Sequence, residues 1–249
     1  MVVWMMNSFK QPEPQMPETE SQPIIATKAL TRVYSLGDRS VIGIDQVDLE
    51  VAAGELVVLK GNSGSGKSTL LSLLSGLDRP TSGELKVAGH DLTKTPEIQL
   101  TRFRREVVGM VFQNFNLLPT LSVLENICLP ALLAGELYEK VKTRADDLLQ
   151  WLGLSDRLTH QPAQLSGGEM QRTAIARALI NDPAIILADE PTGNLDSGNG
   201  QIVFQLLADL NQRWRRTVII ATHSDLADSI ATMRICLKDG LITDMTCDV

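Results

Sequence analysis

Residues 61–69 read Gly61-Asn62-Ser63-Gly64-Ser65-Gly66-Lys67-Ser68-Thr69, which fits the pattern G-x-x-x-x-G-K-[ST]. The apolar run at 55–60 predicts a buried strand before this stretch, and leucines at helical spacing over 70–77 predict a helix after it. Glycines let the backbone approach phosphate groups, the helix N-terminus attracts anions, and Lys67 adds a positive charge. The stretch therefore predicts a phosphate-binding loop for a nucleoside triphosphate. The alternative is a plain glycine-rich turn, and the order strand, loop, helix argues against it.

Composition narrows the class of protein. The chain has 249 residues, 43 % of them hydrophobic, and a net charge of −7 at pH 7. This length suits one domain with subdomains. The negative charge argues against nucleic acid as a partner, because binding backbone phosphates needs a basic surface. The apolar stretches fall short of the roughly twenty residues that span a bilayer. Cys128, Cys236 and Cys247 lack metal-binding or paired spacing, which predicts reduced thiols.

The chain divides into two parts by composition. Residues 1–23 alternate proline with glutamate and glutamine, which predicts a disordered tail before a domain at 24–249. Two helices, at 122–134 and 136–152, form a helical insertion within about 113–168. Further helices begin at Glu169 and at about Gly200. Strands are predicted at 24–33, 47–52, 55–60, 84–87, 107–112, 184–188, 217–222 and 233–237. This alternation predicts an α/β fold with a mainly parallel sheet.

Two carboxylates follow the apolar run at 184–188, where a buried parallel strand emerges at the ligand-binding edge of the sheet. Asp189 can hold Mg²⁺ there, with the Ser68 hydroxyl as a second ligand. Glu190 can orient or deprotonate an attacking water. Taken alone, the sequence Asp-Glu-Pro might only terminate a strand. Beside a phosphate loop, the hydrolytic interpretation is favoured.

A second glycine-rich stretch precedes a helix. Ser166 and Glu169 have the spacing of an N-terminal capping box. Capping leaves Gly167 and Gly168 unexplained, since glycine in a first turn costs helix stability and exposes backbone N–H groups to an anion. We therefore expect a second phosphate-binding surface that serves the nucleotide of another copy, which implies a dimer. His223 directly follows the strand at 217–222, at the ligand-binding edge. Its imidazole could contact a γ-phosphate or could serve only in packing, and the sequence leaves both interpretations open.

These stretches together resemble the ATP-binding subunit of ATP-binding cassette (ABC) transporters over nearly all of residues 24–249. The family motifs occur in order: the phosphate loop, Gln113 after a strand, the signature at 165–172, the run at 185–190, Asn194-Leu195-Asp196-Ser197, and His223. The resemblance implies a P-loop NTPase (RecA-like) core with an N-terminal antiparallel β subdomain and a helical insertion subdomain. It also implies that Tyr34 stacks on adenine, Gln113 senses the γ-phosphate and metal, Asp196 links two sites, and His223 contacts the γ-phosphate.

Residues 112–119 and 188–197 resemble the lipoprotein-releasing and macrolide-exporter branch of the family. The resemblance implies an ATP- and Mg²⁺-dependent homodimer that hydrolyses ATP to drive a separate transmembrane permease. Such a subunit is peripheral, at the cytoplasmic face of the inner membrane, and touches the membrane only through its partner. A signalling or scaffold ATPase that controls envelope remodelling without transport would carry the same motifs. Phe115, Leu117 and Leu118 are candidates for docking the permease, with core packing as the alternative.

Overall fold

The computed structural model describes residues 22–37 and 39–243, so the predicted tail at 1–23 falls almost wholly outside the described residues, as does Cys247. The first half contains β1 (Ile25–Leu36), β2 (Arg39–Val51), β3 (Leu56–Lys60), α1 (Lys67–Leu74), β4 (Ser82–Val87), β5 (His90–Asp91), α2 (Glu97–Glu106) and β6 (Val108–Phe112). The second half contains α3 (Val123–Leu133), α4 (Tyr138–Trp151), α5 (Gly167–Leu179), β7 (Ile185–Asp189), α6 (Ser197–Gln212), β8 (Thr217–Ala221), β9 (Met233–Lys238) and β10 (Leu241–Thr243). Short 3₁₀ helices lie at Ser155–Arg157, Pro162–Gln164 and Asp225–Ser229.

The larger sheet has six strands in the order β10-β9-β3-β8-β7-β6. Strands β9, β3, β8, β7 and β6 are parallel, and only β10 runs antiparallel, to β9. All residues of β3 and β8 are buried, as expected when helices cover both faces of a parallel sheet. The prediction of a mainly parallel sheet is confirmed. Because parallel strands end at one edge, the residues that follow β3, β6, β7 and β8 are brought together there.

Alternate residues of β3 face two separate hydrophobic clusters. Leu56 and Val58 pack with residues of α3, α4, α5 and α6, while Val57 and Leu59 pack with α1, α2 and the smaller sheet. The smaller sheet is antiparallel, with the order β2-β1-β4-β5. The implied N-terminal antiparallel β structure is thus present, on the same face of the central sheet as α1.

Several elements differ from the sequence predictions, and the short strands β5 and β10 were not predicted. Strand β2 begins at Arg39 rather than at 47, because its exposed first residues are held by pairing with β1 rather than by burial. Helix α2 was not predicted, since its sequence is strongly polar and buries only Leu100 and Phe103. Helix α1 ends at Leu74, so Leu77 lies beyond it and is exposed.

Two further findings concern the cysteines and the membrane. Cys128 is a free, buried thiol, and burial raises its pKa to about 11. Cys236 is disulfide-bonded, so the prediction of reduced thiols is wrong for this residue. Among the helices of residues 22–37 and 39–243, none combines the length and apolar character needed to cross a bilayer.

Candidate active site

The loop at 61–69 joins the central strand β3 to α1 and depends on its glycines. Gly61, Gly64 and Gly66 have φ values of +147°, +81° and +106°, which favour glycine. A Cβ at Gly61 would lie 2.2 Å from the carbonyl oxygen of Leu237, and one at Gly66 would lie 2.4 Å from that of Gly43. Larger residues at these two positions would displace the loop from strands β9 and β2.

The interior of this loop suits an anion. The Lys67 ammonium donates hydrogen bonds to the carbonyl oxygens of Gly61 at 2.6 Å and Asn62 at 3.1 Å, so its side chain folds back along the loop. Ser65 Oγ is buried and has no hydrogen-bond partner within the described part of the chain. Helix α1 begins after Gly66 with no side-chain cap and no acidic residue in its first turn. A cation, an unpaired hydroxyl and uncapped N–H groups therefore converge where phosphates would bind.

Ser68 and Asp189, two of the three predicted metal-binding residues, meet at the edge of the sheet. Ser68 Oγ, in the first turn of α1, donates a hydrogen bond of 3.0 Å to Asp189 Oδ1 at the end of β7. Burial raises the pKa of Asp189, and the hydrogen bond from Ser68 opposes that shift. Within the ranges that the structure describes, no group of three or more His, Cys, Asp or Glu residues could hold a metal ion. A hydroxyl and one carboxylate fit Mg²⁺, which takes few protein ligands alongside phosphate oxygens and water.

Glu190 and His223 form a pair beside Asp189. His223 Nδ1 lies 3.0 Å from Glu190 Oε2, and the His223 backbone N–H donates to the same oxygen at 3.4 Å. The Glu190 carboxylate is mostly buried, whereas the imidazole is 75 % exposed. Glu190 has φ +44°, a left-handed conformation that non-glycine residues rarely adopt. Such strain is common where a side chain must be aimed at a reacting group.

Gln113 is exposed directly after β6 and contacts the segment that follows Glu190. Its backbone carbonyl accepts a hydrogen bond of 3.0 Å from Asn194 Nδ2, and its side-chain amide lies 3.5 Å from Asn194 Oδ1. A Cβ at Gly193 would lie 2.6 Å from Gln113 Nε2. Gln113 is thus adjacent to the edge that carries Asp189, with which Phe112 is paired in the sheet.

Tyr34 of β1 lies near Thr69, the last residue of the phosphate loop. A Cβ added at Gly43 would approach both the Tyr34 ring, at 2.8 Å, and the Thr69 methyl group, at 2.9 Å. The Tyr34 hydroxyl donates to Asp78 at 2.9 Å, and the Arg32 guanidinium lies 4.5 Å from the ring centroid. Arg32 and Asp78 fix the ring. Asp78 reaches Tyr34 only through the fold, whereas Arg32 lies two residues before Tyr34 on the same strand, where a search for residues on one face would have found it.

The signature residues lie at the N-terminus of α5. Ser166 caps this helix, and its backbone N–H and hydroxyl each donate a hydrogen bond of 2.8 Å to Glu169 Oε2. Arg157 donates to the other Glu169 oxygen at 2.8 Å, and these contacts lower the pKa of Glu169 to about 2, the Ser166 bonds contributing most. A Cβ at Gly168 would lie 2.1 Å from Asn199 Oδ1, so a larger residue here would have to displace the Asn199 side chain.

Asp196 lies close to this corner. It caps α6, and it accepts hydrogen bonds from the backbone N–H of Asn199 at 2.9 Å and from the Asn199 side chain at 2.7 Å. These bonds lower the pKa of its exposed carboxyl. Asp196 and Ser166 therefore begin two helices that meet through Asn199 and Gly168.

A glycine loop between a buried strand and a helix, with Asp189 and Glu190 at the next strand edge, defines the chain as a P-loop nucleoside triphosphatase. A family model described as ABC transporter matches residues 44–193. The chain therefore belongs to the ABC transporter family, and it is an ATP-binding, ATP-hydrolysing subunit of that family.

Individual relatives agree with this assignment. The macrolide export ATP-binding/permease protein MacB of Rhodopseudomonas palustris is 46 % identical over 218 residues, covering 88 % of this chain and 33 % of that protein. The lipoprotein-releasing system ATP-binding protein LolD of Idiomarina loihiensis is 43 % identical over 220 residues, covering 88 % of this chain and 96 % of that protein. A solved dimeric structure of the ATP-binding cassette MJ0796, in a post-hydrolysis state with ADP and Pi, has 40 % identity and a TM-score of 0.83, over 88 % of this chain and 97 % of that one. The resemblance to the lipoprotein-releasing and macrolide-exporter branch is confirmed.

Proposed function

We propose that two copies of this chain bind ATP between them, hydrolyse it with Mg²⁺, and drive export or extraction of a substrate through a separate permease. The observation that carries this proposal is a pair of contacts at the edge of the large sheet: Ser68 contacts Asp189, and His223 contacts Glu190. The domain would span 24–249, with a helical subdomain at about 113–168.

The phosphate loop binds the nucleotide in this proposal. The backbone N–H groups of residues 61–69 surround the phosphates. The Lys67 ammonium leaves the carbonyl oxygens of Gly61 and Asn62 and donates to the β- and γ-phosphates instead. Ser68, Asp189 and Gln113 would hold Mg²⁺, which would supply positive charge beside the phosphate oxygens. Tyr34 stacks its ring on adenine.

Hydrolysis follows from the Glu190–His223 pair. The Glu190 carboxylate accepts a proton from water as the water oxygen bonds to the γ-phosphorus and the bond to ADP breaks. His223 holds Glu190 in place and contacts the γ-phosphate, while Gln113 senses whether that phosphate is present. Ser166, Gly167 and Gly168 bind the γ-phosphate of the other copy, and Asp196 links the two sites.

Glu190→Gln tests the enzymatic part. The amide keeps the shape of the side chain but cannot accept the proton, so we expect ATP binding to persist while turnover falls at least about 100-fold. A dimer should then accumulate with MgATP, measured by size-exclusion chromatography with light scattering. Glu84→Gln, on the exposed face of β4, is the matched control and should behave as wild type. A Glu190→Gln protein that stays monomeric under saturating MgATP contradicts the dimer.

The membrane part rests on Gln113 and the apolar residues after it. Leu118 is 44 % exposed, and Phe115 is half-buried, with φ +59° and its carbonyl bound to Arg177 at 2.8 Å. We propose that this surface receives the permease and keeps the subunit at the cytoplasmic face of the inner membrane.

Leu118→Ser tests that docking surface. The variant should fold and bind ATP, yet co-purify with the permease about tenfold less, because an exposed apolar contact is lost. Ile98→Ser, at a 79 % exposed apolar position on α2, is the control. Unchanged co-purification in Leu118→Ser refutes the docking surface. ATPase activity that rises with permease but never with substrate would favour the signalling role.

A further inference from the structure

Lys60 is a buried charged residue at the end of the central strand, immediately before the phosphate loop. Its side chain is 7 % exposed, and the other four residues of β3 are buried and apolar. Lysine is almost never buried unless its charge is paired, because desolvation of the ammonium group is costly. Lys60 therefore needs a specific reason to stand at this position.

The Lys60 ammonium points away from the phosphate loop and toward the segment after His223. Nζ donates to the carbonyl oxygen of Ser224 at 2.8 Å and to Asp225 Oδ1 at 3.0 Å. It also lies 3.1 Å from Asp228 Oδ1, an ion pair without hydrogen-bond alignment. These three contacts hold the 3₁₀ helix Asp225–Ser229 against the end of β3.

The anchored segment begins one residue after the histidine of the active site. The carbonyl that Lys60 binds belongs to Ser224, and Ser224 Oγ also caps the 3₁₀ helix by accepting from the Leu226 N–H at 3.3 Å. On the other side, His223 is joined to Glu190 through both Nδ1 and its backbone N–H. The imidazole is largely exposed, so packing against the core does not fix it. Its position depends on the backbone on either side.

We propose that Lys60 is a positioning residue for ATP hydrolysis. It fixes the backbone after His223, so that the imidazole keeps its contact with the Glu190 carboxylate. This inference rests on the role proposed above for His223 and adds the residue that holds it. It also joins two motifs, because the strand that ends at Lys60 continues into the phosphate loop.

The competing explanation is that the ion pairs of Lys60 contribute only to folding. Only Lys60 itself is buried in these pairs, and removing its ammonium group breaks its contacts with the 3₁₀ helix, which changes stability under either explanation. A loss of stability therefore does not separate the two explanations. A double-mutant cycle in kcat does, because a residue that acts only through His223 has no effect once His223 is absent.

The test compares Lys60→Met, His223→Ala and the double variant by steady-state ATPase assays at a temperature where all are folded. Methionine keeps the length and apolar stem and removes the ammonium group. We expect Lys60→Met to lower kcat about tenfold, because small displacements of catalytic groups have large effects on rate. KM for ATP should change less than about twofold, since Nζ does not contact the loop. In the His223→Ala background, Lys60→Met should lower kcat no further.

Lys238→Met is the matched control, because it removes the same charge from an exposed position at the end of the adjacent strand β9. It should retain wild-type kcat. A direct readout is the chemical shift of the His223 ring Cε1–H proton in NMR spectra, identified by its loss in His223→Ala. We expect Lys60→Met to shift this signal.

Each outcome decides between the explanations. Equal losses of kcat in both backgrounds, or no loss in either, overturn the positioning role even if the melting temperature falls. If His223→Ala turns over like wild type, the role of His223 in the proposed function is wrong. If only His223→Ala is impaired, the inference about Lys60 alone is wrong. Should Lys60→Met fail to fold, the Asp225→Asn/Asp228→Asn double variant carries the same cycle, because both altered side chains lie outside the core.

Discussion

Helices α1 and α5 both begin at a glycine-containing motif, but their N-termini are built in opposite ways. At α1 the N-cap is Gly66, with no side-chain cap and no acidic residue in the first turn. At α5 the N-cap is Ser166, which forms a complete capping box with Glu169. The first helix thus leaves its N–H groups to a ligand, whereas the second already satisfies part of its own.

The N-terminus of α3 is an internal reference for this difference. Ser122 and Glu125 form the same capping box, with hydrogen bonds of 2.8, 2.8 and 3.3 Å that match those of Ser166 and Glu169. A capping box is therefore no sign of ligand binding. What distinguishes α5 is the pair of glycines after the cap, and Arg157 on Glu169. The N-terminus of α1 leaves its N–H groups open to a phosphate, and we propose that the N-terminus of α5 serves the nucleotide of a second copy.

The largest expected effect comes from removing the cation at α1. Lys67→Ala should abolish productive ATP binding or hydrolysis, because the loop carries no other side-chain cation to meet the phosphates. ATPase rate and nucleotide affinity are the measurements, with Lys238→Ala as the exposed control. Thermal unfolding should accompany them, since Lys67 is buried. A wild-type rate would show that α1 is not the phosphate site.

The sequence predicts α1 better than α5 because the relevant information is local. Strand, glycines, lysine and helix follow one another over residues 55–74, and each has its own pattern. The meeting of Ser68 and Asp189 was also predictable, since parallel strands end at one edge. The contact between Gly168 and Asn199, by contrast, joins two helices, and no local pattern reveals it.

The other features that the sequence did not predict also depend on contacts between segments that are distant in sequence. The exposed start of β2 has no alternating pattern and depends on pairing with β1. The position of His223 on Glu190 joins two strand ends that are 33 residues apart in sequence. Lys60 was visible as a charge ending the run Leu-Val-Val-Leu, but its partners appear only in the fold.

Replacing the N-cap serine of α5, and separately that of α3, with arginine tests whether α5 serves a second copy. Ser166→Arg should leave the ATP affinity of the monomer within about twofold of wild type and reduce ATP-driven dimerisation at least about tenfold, because arginine blocks the closed interface. Ser122→Arg removes an identical cap from α3. It should lower stability by about 1 kcal/mol and leave dimerisation intact.

Mixing variants sharpens the same test. A heterodimer of Ser166→Arg with Lys67→Ala contains one site with an intact loop and an intact signature, so part of the ATPase activity should return. The measurement is the ATPase rate of the mixture against each variant alone. Loss of ATP affinity in monomeric Ser166→Arg would instead place the signature in the chain's own pocket.

The smallest expected effect separates the two capping boxes from each other. The pKa of Glu169 is about 2, below its ordinary value of 4.5, so its charged form stabilises the folded state. This contribution is complete above about pH 4.5 and is lost as the pH falls toward 2. Glu169→Gln should therefore lower the free energy of unfolding by about 1 kcal/mol at pH 7, because glutamine keeps a cap but loses the Arg157 ion pair. The difference should shrink as the pH is lowered from 4.5 to 3. Hydrogen bonds from Ser122 lower the pKa of Glu125, and within the described residues no arginine contributes to that shift, so Glu125→Gln should cost less. Urea unfolding of both variants at these pH values measures the difference, and equal losses at pH 7 would mean that Arg157 adds nothing to the cap of α5.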